Sequence, residues 1–134
     1  MMKASELRIG NLLEFWNGIE PRRTVQVGRR FFSSACVEKD DDFEITGYYK
    51  GIRITKDILV KLGFDVEMIK GTTSDNVLLK GKEYFLFSDN GLKFYFQTYN
   101  GTSNRVYIEY VHQLQNLFFA LTGKELTVSS PPSF

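Results

Sequence analysis

Apolar and polar residues alternate along most of this chain, the period-2 signature of strands with one buried face, and only two stretches switch to the three-to-four-residue recurrence of a helix. Leu12 to Trp16 predicts a first strand that ends at Asn17-Gly18, a pair that tolerates the positive φ angles of a tight hairpin turn. Pro21 keeps the return strand off a central ladder position, because it has no amide proton to donate. Thr24 to Val27 resumes the alternation, Phe31 to Val37 follows, and an acidic turn from Glu38 to Asp42 leads into Phe43 to Ile45. Several short strands separated by turn residues within the first 54 positions predict an SH3-like small barrel or β region.

Thr55 is placed to cap a short helix, with Asp57 opposing the positive end of its dipole and Ile58, Leu59 and Leu62 forming one apolar arc. Gly63 stops it, and Phe64, Val66 and Met68 then alternate with Asp65 and Glu67 as a half-buried strand before a polar loop, Gly71 to Asn76. A three-stranded meander follows Lys82. A two-residue turn at Asn90-Gly91 pairs Phe87 with Phe94 and Phe85 with Phe96, so that all four phenylalanines share a face. A loop from Asn100 to Asn104 pairs Gln97 with Tyr107 and Tyr95 with Glu109, which adds Val106 and Ile108 to that face. Val111, Leu114, Leu117, Phe118 and Leu121 then mark a closing helix with an apolar arc about 120° wide, expected to pack on the phenylalanines and to end at Gly123. Leu126 to Val128 adds a short strand. The expectation is an α+β protein, mainly antiparallel, in one compact domain over residues 1–128 (a β region 1–54; helix, meander and closing helix 55–128), with a disordered tail at 129–134.

Composition changes this picture little. The 134 residues carry 17 basic and 16 acidic side chains, a net charge of +1 that argues against polyanion binding over the whole surface but leaves room for a local basic patch. Charged residues interrupt the N-terminal apolar positions, so no core for a secretory signal is visible, and no run is apolar enough to span a bilayer. The lone Cys36 cannot close an intrachain disulfide, which points to a reducing compartment, the cytoplasm by default. Phenylalanine and tyrosine are abundant, 12 and 7 residues, and concentrate in the alternating segments.

The run from Tyr110 through His112, Gln115, Asn116 and Gly123 to Leu126 resembles the ending of an uncharacterised family of small proteins from Bacteroides-type bacteria and their prophages or mobile elements. Leu7 to Asn11 and the stretch Ile54, Thr55, Ile58, Leu59, Leu62, Gly63 and Phe64 carry the same resemblance, with Ile58 standing where relatives often have tryptophan and without the proline usual before the middle helix. The resemblance implies a shared architecture and a phage or mobile-element origin; it implies no activity.

Candidate chemistry is sparse. His112 and Cys36 are the only histidine and the only cysteine, so a nucleophile-base pair requires those two to meet, and they are expected not to. The acids Glu38, Asp40, Asp41, Asp42 and Glu44 lack the glycine and alternating pattern of a calcium loop and read as a solvated hairpin tip, and no metal site or cofactor is expected. Arg22, Arg23, Arg29 and Arg30 form the sharpest polar feature, able to meet phosphates or to pair with the acids that follow. Tyr84, Tyr95, Tyr99 and Tyr107 share the other meander face, as an interface or a second core layer. The leading expectation is a small non-enzymatic binding or adaptor module, partner unknown, with a protein or a second copy among the open alternatives. A nucleic-acid-binding accessory protein using the arginine-rich hairpin is the runner-up, and a small hydrolase comes third.

Overall fold

A computed structural model describes residues 2–39, 42–68, 75–79, 85–89, 93–97 and 105–126. The fold is α+β, with three antiparallel sheets and three α-helices among the described residues. It divides into two units, one formed by Met1–Ile52 with Tyr110–Phe134, the other by Arg53–Glu109. The closing helix is thus grouped with the N-terminal strands.

In the first unit, β1 (Leu12–Phe15) lies between β2 (Arg23–Gln26) and β5 (Tyr49–Gly51), while β3 (Cys36–Lys39) and β4 (Asp42–Ile45) form a separate pair. Among the described residues neither sheet closes on itself, so the expected SH3-like barrel is replaced by an open three-stranded sheet and a two-stranded ribbon. The tight hairpin at Asn17-Gly18 is also longer than predicted: Phe15 pairs with Arg23, and residues 16–22 connect them. Gly18 keeps the anticipated positive φ of 84°, and the Asn17 side chain accepts from the amides of Ile19 and Glu20 at 3.0 and 2.9 Å, an Asx turn.

Phe31 to Ala35, read as strand, is helix α1 (Phe31–Ala35). The reason is tertiary. Phe31 and Phe32 both pack against the buried cluster of Leu7, Leu13, Val27 and Ile45, and adjacent residues of a strand would point to opposite faces. The two rings meet edge to face at 5.6 Å, and Phe31 does the same with Tyr49 at 4.9 Å. Ser33 and Ser34 donate their hydroxyls to the carbonyl of Arg30 at 2.8 and 3.3 Å, which fits a helical turn.

The second unit opens with α2 (Lys56–Lys61). Thr55 Oγ1 accepts from the Ile58 amide at 3.2 Å, and Ile58, Leu59 and Leu62 are buried, as the sequence predicts. Gly63 takes φ +94° and donates to the Val60 carbonyl at 3.0 Å, and Phe64 beyond it is buried. Next comes a five-stranded antiparallel meander, in which the predicted strand at Phe64–Met68 and one unpredicted strand, β7, join the three expected: β6 (Phe64–Met68), β7 (Asp75–Leu79), β8 (Phe85–Asp89), β9 (Lys93–Gln97) and β10 (Arg105–Ile108). Asp75 and Asn76, assigned to a loop, start β7; residues 71–74 of that loop lie outside the described residues.

The meander register differs from expectation. Asp89 pairs with Lys93 and Ser88 with Phe94, so β8 is shifted by one residue against β9 and positions 94 and 96 stand opposite 88 and 86. Positions 85 and 87 therefore have the opposite parity from 94 and 96, and the four-phenylalanine face does not form. Hairpin connections of two and of three residues both favour glycine, so an Asn-Gly pair does not by itself set the count. Between β9 and β10 the shift is two residues, with Tyr95 opposite Tyr107 and Phe94 opposite Ile108. An even shift preserves faces, and Val106 and Ile108 keep the parity of Phe96 and Phe94.

Helix α3 (Val111–Thr122) ends at Gly123, whose φ is +71° and whose amide donates to the Phe119 carbonyl at 2.8 Å. Its buried residues are Val111, His112, Leu114, Gln115 and Phe118, while Leu121 is exposed. At about 100° per residue the buried face is turned roughly 70° from the predicted apolar arc, toward Gln115 and His112. Leu126 is buried without strand structure, and residues 127–134, with the expected tail, lie outside the described residues.

Candidate ligand cleft on the N-terminal sheet

Antiparallel pairing puts directly opposite residues on the same face of a sheet, so the register of β1 with its two neighbours sorts the side chains. On one face Leu13 and Val25 stand opposite each other, and Phe15 stands opposite Arg23 and Tyr49. Leu13, Val25 and Tyr49 belong to the core cluster, and Phe15 tilts against Tyr49 at 5.1 Å. The other face carries Glu14 between Thr24 and Lys50, and just beyond the paired residues Arg22 lies over Trp16 and the Tyr48 ring stands 6.3 Å from Phe15. The Trp16 amide donates to the Tyr48 carbonyl at 2.9 Å, extending the β1–β5 ladder beyond the assigned strands.

This outer face holds a cleft of about 320 Å³ lined by Trp16, Tyr48, Arg22, Lys50 and Glu14 together with the Asn17-Gly18 turn and Gly47. Trp16 is 43% exposed and Tyr48 56%, both large aromatic surfaces left to solvent. The Arg22 guanidinium sits over the indole, 4.8 Å from the ring centroid, and its Nε lies 3.6 Å from Glu14 Oε1. Glu14 is the one acid among the lining residues, and this contact partly offsets its charge. Arg23, on the opposite face, covers Phe15 at 4.8 Å.

The four arginines singled out in the sequence therefore do not act as one group. Arg22 and Arg23 lie at the start of β2, whereas Arg29 and Arg30 occupy the turn beyond its other end, exposed and without an ion pair among the described residues. Arg22 pairs with Glu14 rather than with the acids at 38–44, of which Asp40 and Asp41 lie outside the described residues. Of the four tyrosines, Tyr95 is 7% and Tyr107 52% exposed, with ring centroids 5.8 Å apart; Tyr84 and Tyr99 lie outside the described residues.

His112 stands outside the predicted apolar arc of its helix and is nonetheless 3% exposed, stacked on Tyr110 at 5.7 Å with Nδ1 lacking a hydrogen-bond partner among the described residues. Burial pushes its imidazole down to about 4. Cys36 packs at the edge of the core cluster, where burial pushes its thiol up. Among the described residues no group of three or more His, Cys, Asp or Glu side chains is placed to hold a metal ion.

A buried polar network escaped the sequence reading. Gln115 accepts from the Leu12 amide at 2.9 Å and donates to the carbonyls of Gly10 and Leu126 at 3.1 and 3.3 Å. Asn11 donates to Asn116 Oδ1 at 3.0 Å, Asn116 donates to the Glu6 carbonyl at 3.0 Å, and Arg8 pairs with Glu125 while covering Phe119 at 3.8 Å. This network joins α3 to the segment before β1, a structural role. Of the cleft, Trp16 and Arg22 were legible as residues near an arginine-rich hairpin. Tyr48 and Lys50 were not, because the three-residue β5 that presents Lys50 is too short to leave a period. The chain matches no protein-family model, no curated protein and no solved structure.

Proposed function

We propose that this protein is a small non-enzymatic binding module acting in the cytoplasm, of phage or mobile-element origin, and that the outer-face cleft is where it binds. The observation that carries the reading is the placement of two exposed aromatic rings, Trp16 and Tyr48, in one concave site with the cations Arg22 and Lys50. Aromatic side chains with arginine provide large contact area at low entropic cost, the composition of recognition surfaces. The origin rests on the resemblance at Leu7 to Asn11, Ile54 to Phe64 and Tyr110 to Leu126. Hydrolysis draws no support: a thiol pushed up and an imidazole pushed down are the reverse of an activated thiolate beside a cationic base.

The test is a heteronuclear NMR titration of the isotopically labelled protein with a panel of single-stranded oligonucleotides, acidic peptides and proline-rich peptides. At least one ligand class is expected to produce saturable shifts concentrated on residues 14–18, 22–24 and 47–50. A panel that leaves those resonances unmoved, or shifts only residues elsewhere, overturns the assignment of the cleft.

A further inference from the structure

We infer that the ligand of this cleft is a single-stranded nucleic acid, with a base stacked on the exposed aromatic rings and backbone phosphates held by Arg22 and Lys50. The inference rests on the binding-module reading and goes beyond it by naming the ligand class. Its first support is the register. Strand pairing places Glu14 and Lys50 opposite each other, and just beyond the paired residues Arg22 lies over Trp16, whose amide donates to the Tyr48 carbonyl, so rings and cations line one cleft. Single-strand binders use this combination of stacking platform and cationic groove, because every base has a π-face and every linkage a negative charge.

The second support is charge. Glu14 lies 3.6 Å from the Arg22 Nε, and Lys50 supplies a further cation on the same surface, so the lining carries two positive charges against one negative. An anionic ligand complements that balance, and a planar base can stack on aromatic surface in the same cleft. The third support is exposure: Trp16 and Tyr48 rings are open to solvent, and stacking on them requires a base free of its own duplex partner.

Trp16 is the chain's sole tryptophan, so its emission reports on this cleft and nothing else. Titration at low salt with oligothymidylate and oligouridylate of about ten nucleotides should quench it saturably. Binding of either the DNA or the RNA strand supports the inference. The binding constant should fall with salt at a log-log slope of about −1.4, roughly −0.7 for each of two phosphate contacts, and Arg22→Gln should reduce that slope by about 0.7. Tyr48→Ala, at an exposed position, should weaken binding roughly 5-fold or more. Lys50→Gln serves as a second cationic variant should Arg22→Gln disturb the indole packing.

Four results overturn the inference: no quenching by either strand, equal or tighter binding to duplex, unchanged affinity in Tyr48→Ala, or an Arg29→Gln, Arg30→Gln double variant that weakens binding as much as Arg22→Gln with Lys50→Gln. If an acidic or proline-rich peptide alters Trp16 emission and the oligonucleotides do not, the binding-module reading stands and the ligand class is wrong. If none of these probes alters it, both readings fall.

Discussion

Gly51 shows how closely side chains are fitted around a buried histidine. A Cβ built there would lie 2.6 and 2.7 Å from Cδ1 and Cγ of Tyr110 and 3.0 Å from Cε1 of His112, rings that stack on each other at an interplanar angle of 12°. Gly51→Ala should therefore cost about 1 to 3 kcal/mol by overpacking, read as a lowered urea midpoint at unchanged m-value. His112 adds a pH dependence of definite sign. Its pKa falls from 6.5 to about 4 in the folded protein, so the unfolded chain binds the extra proton first. Its contribution to stability is complete above about pH 6.5, declines as pH falls toward 4 and is gone below, a loss on the order of 3 kcal/mol. Urea denaturation across that window should show the decline, and His112→Phe should remove this part of the slope. Gln115 is the third such residue: Gln115→Leu leaves the Leu12 amide without its partner and should destabilise by about 1 to 3 kcal/mol.

At the level of elements, the chain is legible where local chemistry decides and misleading where packing does. The cap, stop and apolar arc of α2 are all visible in sequence, because each depends on residues within one or two turns. Thr55→Ala should cost about 1 kcal/mol, since it orphans the Ile58 amide. In α3 the apolar arc misjudges the buried face, because Gln115 enters the interior to satisfy backbone groups of the segment before β1. In α1 the β-compatible phenylalanines adopt a helical turn so that both reach one cluster. The meander strands β8 to β10 were legible as elements, while their register was not, since it depends on connection lengths that Asn and Gly leave open. Burial differs between individual positions of β9 and β10 in a testable way. Phe94→Ala should cost about 3 to 5 kcal/mol, whereas Tyr107→Ala, at a half-exposed position, should stay within about 1 kcal/mol, both measured by chemical denaturation.

At the scale of the whole molecule, the first unit is discontinuous in sequence, and Arg53–Glu109 enters and leaves it at neighbouring points: the Val111 amide donates to the Ile52 carbonyl at 2.8 Å, and the Ile54 amide to the Glu109 carbonyl at 3.0 Å. Joining Ile52 to Tyr110 through a short glycine-rich turn should leave a shortened chain that still unfolds cooperatively, because its core cluster and the Gln115 network lie wholly within the retained segments; loss of cooperative unfolding by circular dichroism would contradict this. By itself the sequence determined the α+β class, the helix ends at Thr55, Gly63 and Gly123 and most strands, since these follow from periodicity, capping and backbone freedom within a few residues. Only tertiary structure decided the grouping of α3 with the N-terminal sheet, the open sheet in place of a barrel, and the meeting of Trp16, Arg22, Tyr48 and Lys50. Those outcomes depend on which strand pairs with which and in what register, a choice made by contacts between residues far apart in the chain, and no local pattern encodes it.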